Sequence, residues 1–201
     1  MANKKVVIGC LGVIVLGIII AALWTTGLYN GLVRLDQKVQ AQWAQVENQY
    51  QRRADLVPNL VETVKGAADF EKSTFTAVTE ARAKVGQVQV SADKLTPEAL
   101  GKFQAAQDGL SSALSRLLVV MEKYPDLKAT ENFKELQAQL EGTENRIAVE
   151  RMRFNEAAQA FNTRRMSFPT VLIAGFFGSR FAEKAYFKAQ AGAETAPKVK
   201  F

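Results

Sequence analysis

The sequence predicts an all-α protein: an N-terminal transmembrane helix continuing into an elongated antiparallel four-helix bundle. Three observations point there. No charged residue lies between Val6 and Val33. Beyond that stretch apolar residues recur at gaps of three and four, the spacing of one helix face. No alternating strand pattern of comparable length competes with it.

The totals restrict the chemistry. A chain of 201 residues with 48% hydrophobic content suits one anchored domain with a core of its own. It has no histidine, and its single cysteine, Cys10, sits in the apolar run. Imidazole bases, Ser-His and Cys-His pairs, imidazole metal sites and disulfides are therefore out of reach. No cofactor, metal or catalytic residue is expected. The net charge of +6 is concentrated at the chain ends. Lys4 and Lys5 lie at the front, and from Arg164 onward seven cations face two carboxylates, a balance of +5. That distribution favours an anionic lipid surface over nucleic acid, whose binders more often carry basic charge across the folded domain; a solvated basic tail is the alternative.

In order along the chain, residues 1–5 form a short basic N-terminus and residues 6–27 the transmembrane helix, close to the ~20 apolar residues a span requires. Trp24 and Tyr29 suit the membrane–water boundary. The run passes without a break into the next helical pattern, unlike a cleaved signal. Only four apolar residues precede Cys10, against the ~7–15 of a signal-peptide core, which disfavours lipidation there. Lys4 and Lys5 before the span, against the more distant Arg34 and Lys38 after it, lean toward a cytoplasmic N-terminus with the bundle on the other side.

The bundle occupies residues 28–166, with helices expected over about 28–55, 56–86, 97–124 and 127–166. Leu28, Leu32, Leu35, Val39, Trp43, Val46 and Tyr50 form the stripe of the first, and Val57, Leu60, Val61, Val64, Ala68, Phe75, Val78 and Ala81 that of the second. Between them, "RRADLVPN" reads as a junction, with Asp55 as cap, Pro58 in the next first turn, and Arg52 and Arg53 in the last turn before it. A continuous helix kinked at Pro58 is the rival. Thr96 followed by Pro97 starts the third helix. In the fourth, Phe133, Leu140, Ile147, Phe154 and Phe161 fall seven apart, a coiled-coil-like seam. Glu144, Asn145 and Arg146 beside it read as a register-setting polar layer. By helix length Glu144 is expected level with Val39–Gln40, some 20 Å or more from the Arg52–Asp55 end.

Four helices of similar length, each on the order of 40 Å, return the chain to the bilayer near Met166. The tail, 167–201, is apolar and aromatic, then basic. Phe176, Phe177 and Phe181, with Arg180 and Lys184 between and after them, are candidates for the membrane interface. The alternatives are packing onto the bundle or onto a neighbouring subunit.

Four blocks carry a family resemblance: "YNGLVRLDQKVQAQWAQVENQYQRRADLVPNLVETVKG", "EARAKVG", "YPDLKATENFKELQAQLEGTENRIAVERMRFNEAAQAFN" and "FPTVLIAGFFG". Together and in this order they resemble the LemA family of bacterial membrane proteins. The resemblance implies one N-terminal membrane helix, an antiparallel bundle, a bacterial inner-membrane location and no assigned catalytic residues. Some relatives belong to gene sets for magnetosome membrane formation, which implies membrane organisation. The expected function is a noncatalytic, membrane-anchored, self-associating scaffold with the bilayer as partner. An adaptor subunit for a membrane protease or signalling protein is the alternative.

Overall fold

A computed structural model describes residues 2–65, 72–92 and 95–189, with backbone alone at 2–7 and 72. The side chains of Lys4 and Lys5, residue Ala68 and the basic end with Lys198 and Lys200 lie outside the described residues. The elements are α1 (Ala2–Lys65), α2 (Lys72–Gln87), α3 (Pro97–Met121), the single turn α4 (Pro125–Lys128), α5 (Glu131–Met166), α6 (Thr170–Phe177) and a 3₁₀ turn, Gly178–Phe181. The described residues contain no strand.

The first correction concerns the expected junction. Helix α1 runs 64 residues without a break, and Pro58 lies inside it. Proline has no N–H to offer the carbonyl four residues back, here Ala54. That carbonyl is taken instead by Arg82 of α2, whose Nε donates to Ala54 O at 3.0 Å. The neighbouring helix thus supplies the hydrogen bond that the proline removes. Asp55 is exposed and accepts from Gln51 Nε2 within the same helix, so it caps nothing.

Once α1 keeps residues 56–65, α2 is left with 16 residues, roughly 24 Å of helix. It covers only the half of the bundle far from the span. The described residues between α2 and α3, 88–92 and 95–96, bring Val90 and Leu95 into the half of the bundle that α2 does not reach. The start of α3 follows the expected pattern, with Thr96 Oγ1 accepting from Ala99 N at 3.2 Å and Pro97 in the first turn.

Two apolar cores result. The far one gathers Val57 to Val64 of α1, Val78 of α2, Leu110 to Met121 of α3, and Phe133 and Leu140 of α5. The near one gathers Leu32 to Tyr50 of α1, Val90 and Leu95, Leu100 and Phe103 of α3, and Ile147 to Phe161 of α5. The near core also takes in Ala174, Phe181 and Phe187, so the tail fills the place that α2 leaves open. All five seam residues of α5, Phe133 to Phe161, are buried.

Candidate functional site

The end of the bundle next to the apolar run is built around Tyr29. Its ring centroid lies 4.9 Å from that of Phe177 and 5.3 Å from that of Phe181. Phe181 also approaches Phe161 of α5, at 6.4 Å. Phe177 and Phe181 therefore come back to the level at which α1 leaves its apolar segment. On α6, Thr170 and Ala174 face inward, and Leu172 and Phe176 are exposed, Phe176 at 86%; Phe168, in the turn just before α6, is exposed as well. The i, i+4 spacing of Thr170 with Ala174 and of Leu172 with Phe176 makes α6 a two-faced helix packed on α1 and α5. Gly178 closes it at φ 49°, a conformation that favours glycine, and turns the chain into the 3₁₀ segment.

From Ala182 the chain runs as a non-helical strap back up the bundle, and side chains pair its main chain at Lys184, Phe187 and Lys188. Asn162 Nδ2 donates to Lys184 O at 2.9 Å and Lys184 N donates to Asn162 Oδ1 at 2.9 Å. Asn155 does the same with Phe187, at 3.1 and 2.9 Å. Gln104 of α3 repeats the exchange with Lys188, at 3.0 and 3.3 Å. The spacing closes because seven helical residues rise ~10.5 Å and three extended residues span ~10 Å. Phe187 then stacks on Trp43 with centroids 6.0 Å apart, under the guanidinium of Arg151.

A buried carboxylate fixes the strap to α1. Asp36 is fully buried, with Lys184 Nζ 2.6 Å from Oδ1 and Arg180 Nη1 3.0 Å from Oδ2. Gln40 Nε2 donates to Oδ2 as well, at 2.9 Å. Burial alone would raise the Asp36 carboxyl, but the hydrogen bonds and charges of Lys184 and Arg180 outweigh it and hold it below its ordinary 3.8.

Between the two cores lies a polar layer centred on Arg53, which is 1% exposed. Its Nη1 donates to Glu144 Oε1 and to Ser111 Oγ, each at 2.6 Å. Nη2 donates to Gln107 Oε1 at 2.6 Å and Gln107 O at 3.1 Å, and the guanidinium lies over Tyr50. The expectation that Glu144 and the Arg52–Asp55 region lie far apart is overturned. Because α1 continues to Lys65, Arg53 sits twelve residues inside the bundle, and Glu144 sits thirteen inside from the start of α5. The two therefore meet at one level, about 20 Å from that end.

The remaining expected residues divide by position. Asn145 and Arg146 are exposed and stand outside the polar layer, and Arg146 lines a shallow groove with Arg52 and Glu135. Trp24, Phe176 and Phe177 are exposed and Tyr29 is partly covered. Phe181 is fully buried and Lys184 nearly so on Asp36, so both belong to the bundle and not to its outer surface. Asp36, Asn155 and Asn162 were not anticipated. Among the described residues no group of three or more His, Cys, Asp or Glu is arranged to hold a metal. The helix containing α1's apolar run is long and apolar enough to cross a membrane.

Comparison with known proteins fits this geometry. The LemA family profile matches residues 42–201. The chain belongs to the LemA family. The resemblance seen in the four sequence blocks therefore holds. The chain is also similar to Magnetosome protein MamQ 2 of Paramagnetospirillum magneticum, 28% identical over 184 residues, covering 83% of this chain and 67% of the relative. Magnetosome protein MamQ of Magnetospirillum gryphiswaldense is 27% identical over the same shares. Protein LemA of Metamycoplasma hominis is 26% identical over 148 residues, covering 74% of this chain and 64% of that protein. LemA membership, these relatives and the apolar N-terminal helix together describe a membrane-associated protein.

Proposed function

We propose that this protein is a noncatalytic scaffold, single-pass in the bacterial inner membrane, whose bundle stands outside the cytoplasm with its base resting on the bilayer. The observation that carries this reading is the exposed face of α6, with Phe176 bare beside Phe177, whose ring meets Tyr29 at the end of the apolar run. An apolar helix face at that level has lipid within reach and, among the described residues, none of its own chain over it. Seated just below the headgroups, among the outer parts of the acyl chains, such a helix adds area to one leaflet only. Copies gathered side by side would then organise or shape the membrane, the role implied by the family resemblance and in keeping with relatives named as magnetosome proteins.

The test uses the full chain in lipid vesicles with Cys10→Ser and a nitroxide at Phe176→Cys. Collision with oxygen and with a water-soluble nickel chelate reports depth. The label at 176 is expected to be immersed, and a control label at Ala129→Cys, at the opposite end, to be in water. Equal chelate access at both positions overturns the reading.

A further inference from the structure

The fold sorts charge along the bundle. Over residues 28–40 and 158–186, which form the base, Arg34, Lys38, Arg164, Arg165, Arg180 and Lys184 outnumber Asp36 and Glu183, a balance of +4. The far half, residues 53–65, 72–87 and 107–141, balances to zero. In sequence these cations lie in three separate places. Only the return of α5 and the tail to the foot of α1 brings them to one level.

Three of the six have inward duties. Arg180 and Lys184 hold Asp36, and Arg165 Nε donates to Phe181 O at 2.6 Å. Arg34, Lys38 and Arg164 are exposed, and among the described residues none of them pairs with a carboxylate. Arg34 and Lys38 share a face of α1 at i, i+4 spacing, roughly 8 and 14 Å above Tyr29. Arg164 lies one turn beyond Phe161, toward the end of α5 next to α6. A collar of uncompensated cations thus rims an uncharged apolar face. We infer that the base selects anionic phospholipid headgroups, with α6 seated among the acyl chains and Arg34, Lys38 and Arg164 on the phosphates around it. This rests on the docking of α6 argued above and names the lipid class that the dock takes. The arrangement is that of juxtamembrane basic clusters, which act within about one Debye length, ~8 Å at physiological salt.

The experiment measures lipid selectivity at the protein boundary. Spin-labelled phosphatidylglycerol and phosphatidylcholine are compared around the full chain in phosphatidylcholine vesicles containing a minor fraction of phosphatidylglycerol. Phosphatidylglycerol is expected to be favoured by about fivefold or more at low salt, the effect of a single well-placed cation. The preference should collapse in high sodium chloride. It should also collapse in Arg34→Gln/Lys38→Gln/Arg164→Gln, whose exposed side chains leave the core intact. Lys4→Gln/Lys5→Gln, at the other end of the span, should retain it. Inorganic phosphate at matched ionic strength should do no more than sodium chloride; specific competition by free phosphate would overturn a headgroup site. A ratio near one with residue 176 immersed overturns the selectivity and leaves the docking of α6 standing. A ratio near one with residue 176 in water defeats both.

Discussion

Replacing Arg82 by alanine should weaken the fold only while residue 58 is proline. Arg82 Nε serves the Ala54 carbonyl at 3.0 Å because Pro58 cannot. A hydrogen bond from a charged donor contributes about 1.5–3 kcal/mol when buried. Arg82 is exposed, so about 1 kcal/mol is the discounted figure. Pro58→Ala restores the internal N–H. Proline inside a helix costs up to about 3 kcal/mol relative to alanine, and part of that is already offset by Arg82. A gain of about 1–2 kcal/mol is therefore expected from Pro58→Ala alone. In that background the Ala54 carbonyl has an intrahelical partner, and Arg82→Ala should cost almost nothing. The coupling between the two sites is about 1 kcal/mol, above the ~0.3–0.5 kcal/mol scatter of independent mutations. Urea unfolding of all four proteins in a mild detergent, followed by helical circular dichroism, reads the cycle directly. An equal cost of Arg82→Ala in both backgrounds would refute the idea that α2 compensates the proline.

Two further outcomes follow from the buried charges. Arg53→Ala strands the buried Gln107 amide and opens a cavity, so it should cost about 3–4 kcal/mol. Arg53→Met/Gln107→Leu should recover most of that loss, because Glu144 is 40% exposed and can turn to water; a cost below about 1 kcal/mol for the alanine variant in the same unfolding assay would show that the layer contributes little. For Asp36, a folded-state value held below 3.8 stabilises the fold above that pH, and the stabilisation is lost as pH falls through the lowered value. Hydrogen exchange over residues 182–189, corrected for intrinsic rates, should thus stay protected from pH 8 to 5 in the native chain and be lost throughout in Asp36→Asn; release between pH 7 and 5 would contradict the assignment.

The helices were legible because each buries one stripe at a fixed period. The α5 seam is the clearest case: all five of its heptad positions are buried. The same period contained more than an apolar reading extracts. Buried positions on α1 run 28, 32, 36, 39, 43, 46, 50, 53, 57 and onward, so Asp36 and Arg53 fall on the seam itself. Choosing the apolar Leu35 over Asp36 hid one buried charge. Reading Arg53 as a helix-end cation hid the other. The phase also passes from Tyr50 through Arg53 to Val57 without a slip, which argues for one helix despite Pro58. The strap had no comparable signature. Its main chain is paired by Asn155, Asn162 and Gln104, residues that in sequence look like solvent-facing helix positions. Only their heptad offset, each Asn immediately after a seam phenylalanine, hints at the role.

Helix α1 has no joint between the apolar run and Lys65, and that has a mechanical consequence. From Leu28 to Lys65 it extends roughly 55 Å, with Pro58 splinted from the side. A 10° change in the inclination of the buried segment, well inside the range seen for membrane helices, carries the outer tip about 10 Å sideways. With the apolar run set in a bilayer as proposed, local thinning or thickening would be converted into a lateral sweep at the far end, amplified by the length of the continuous helix.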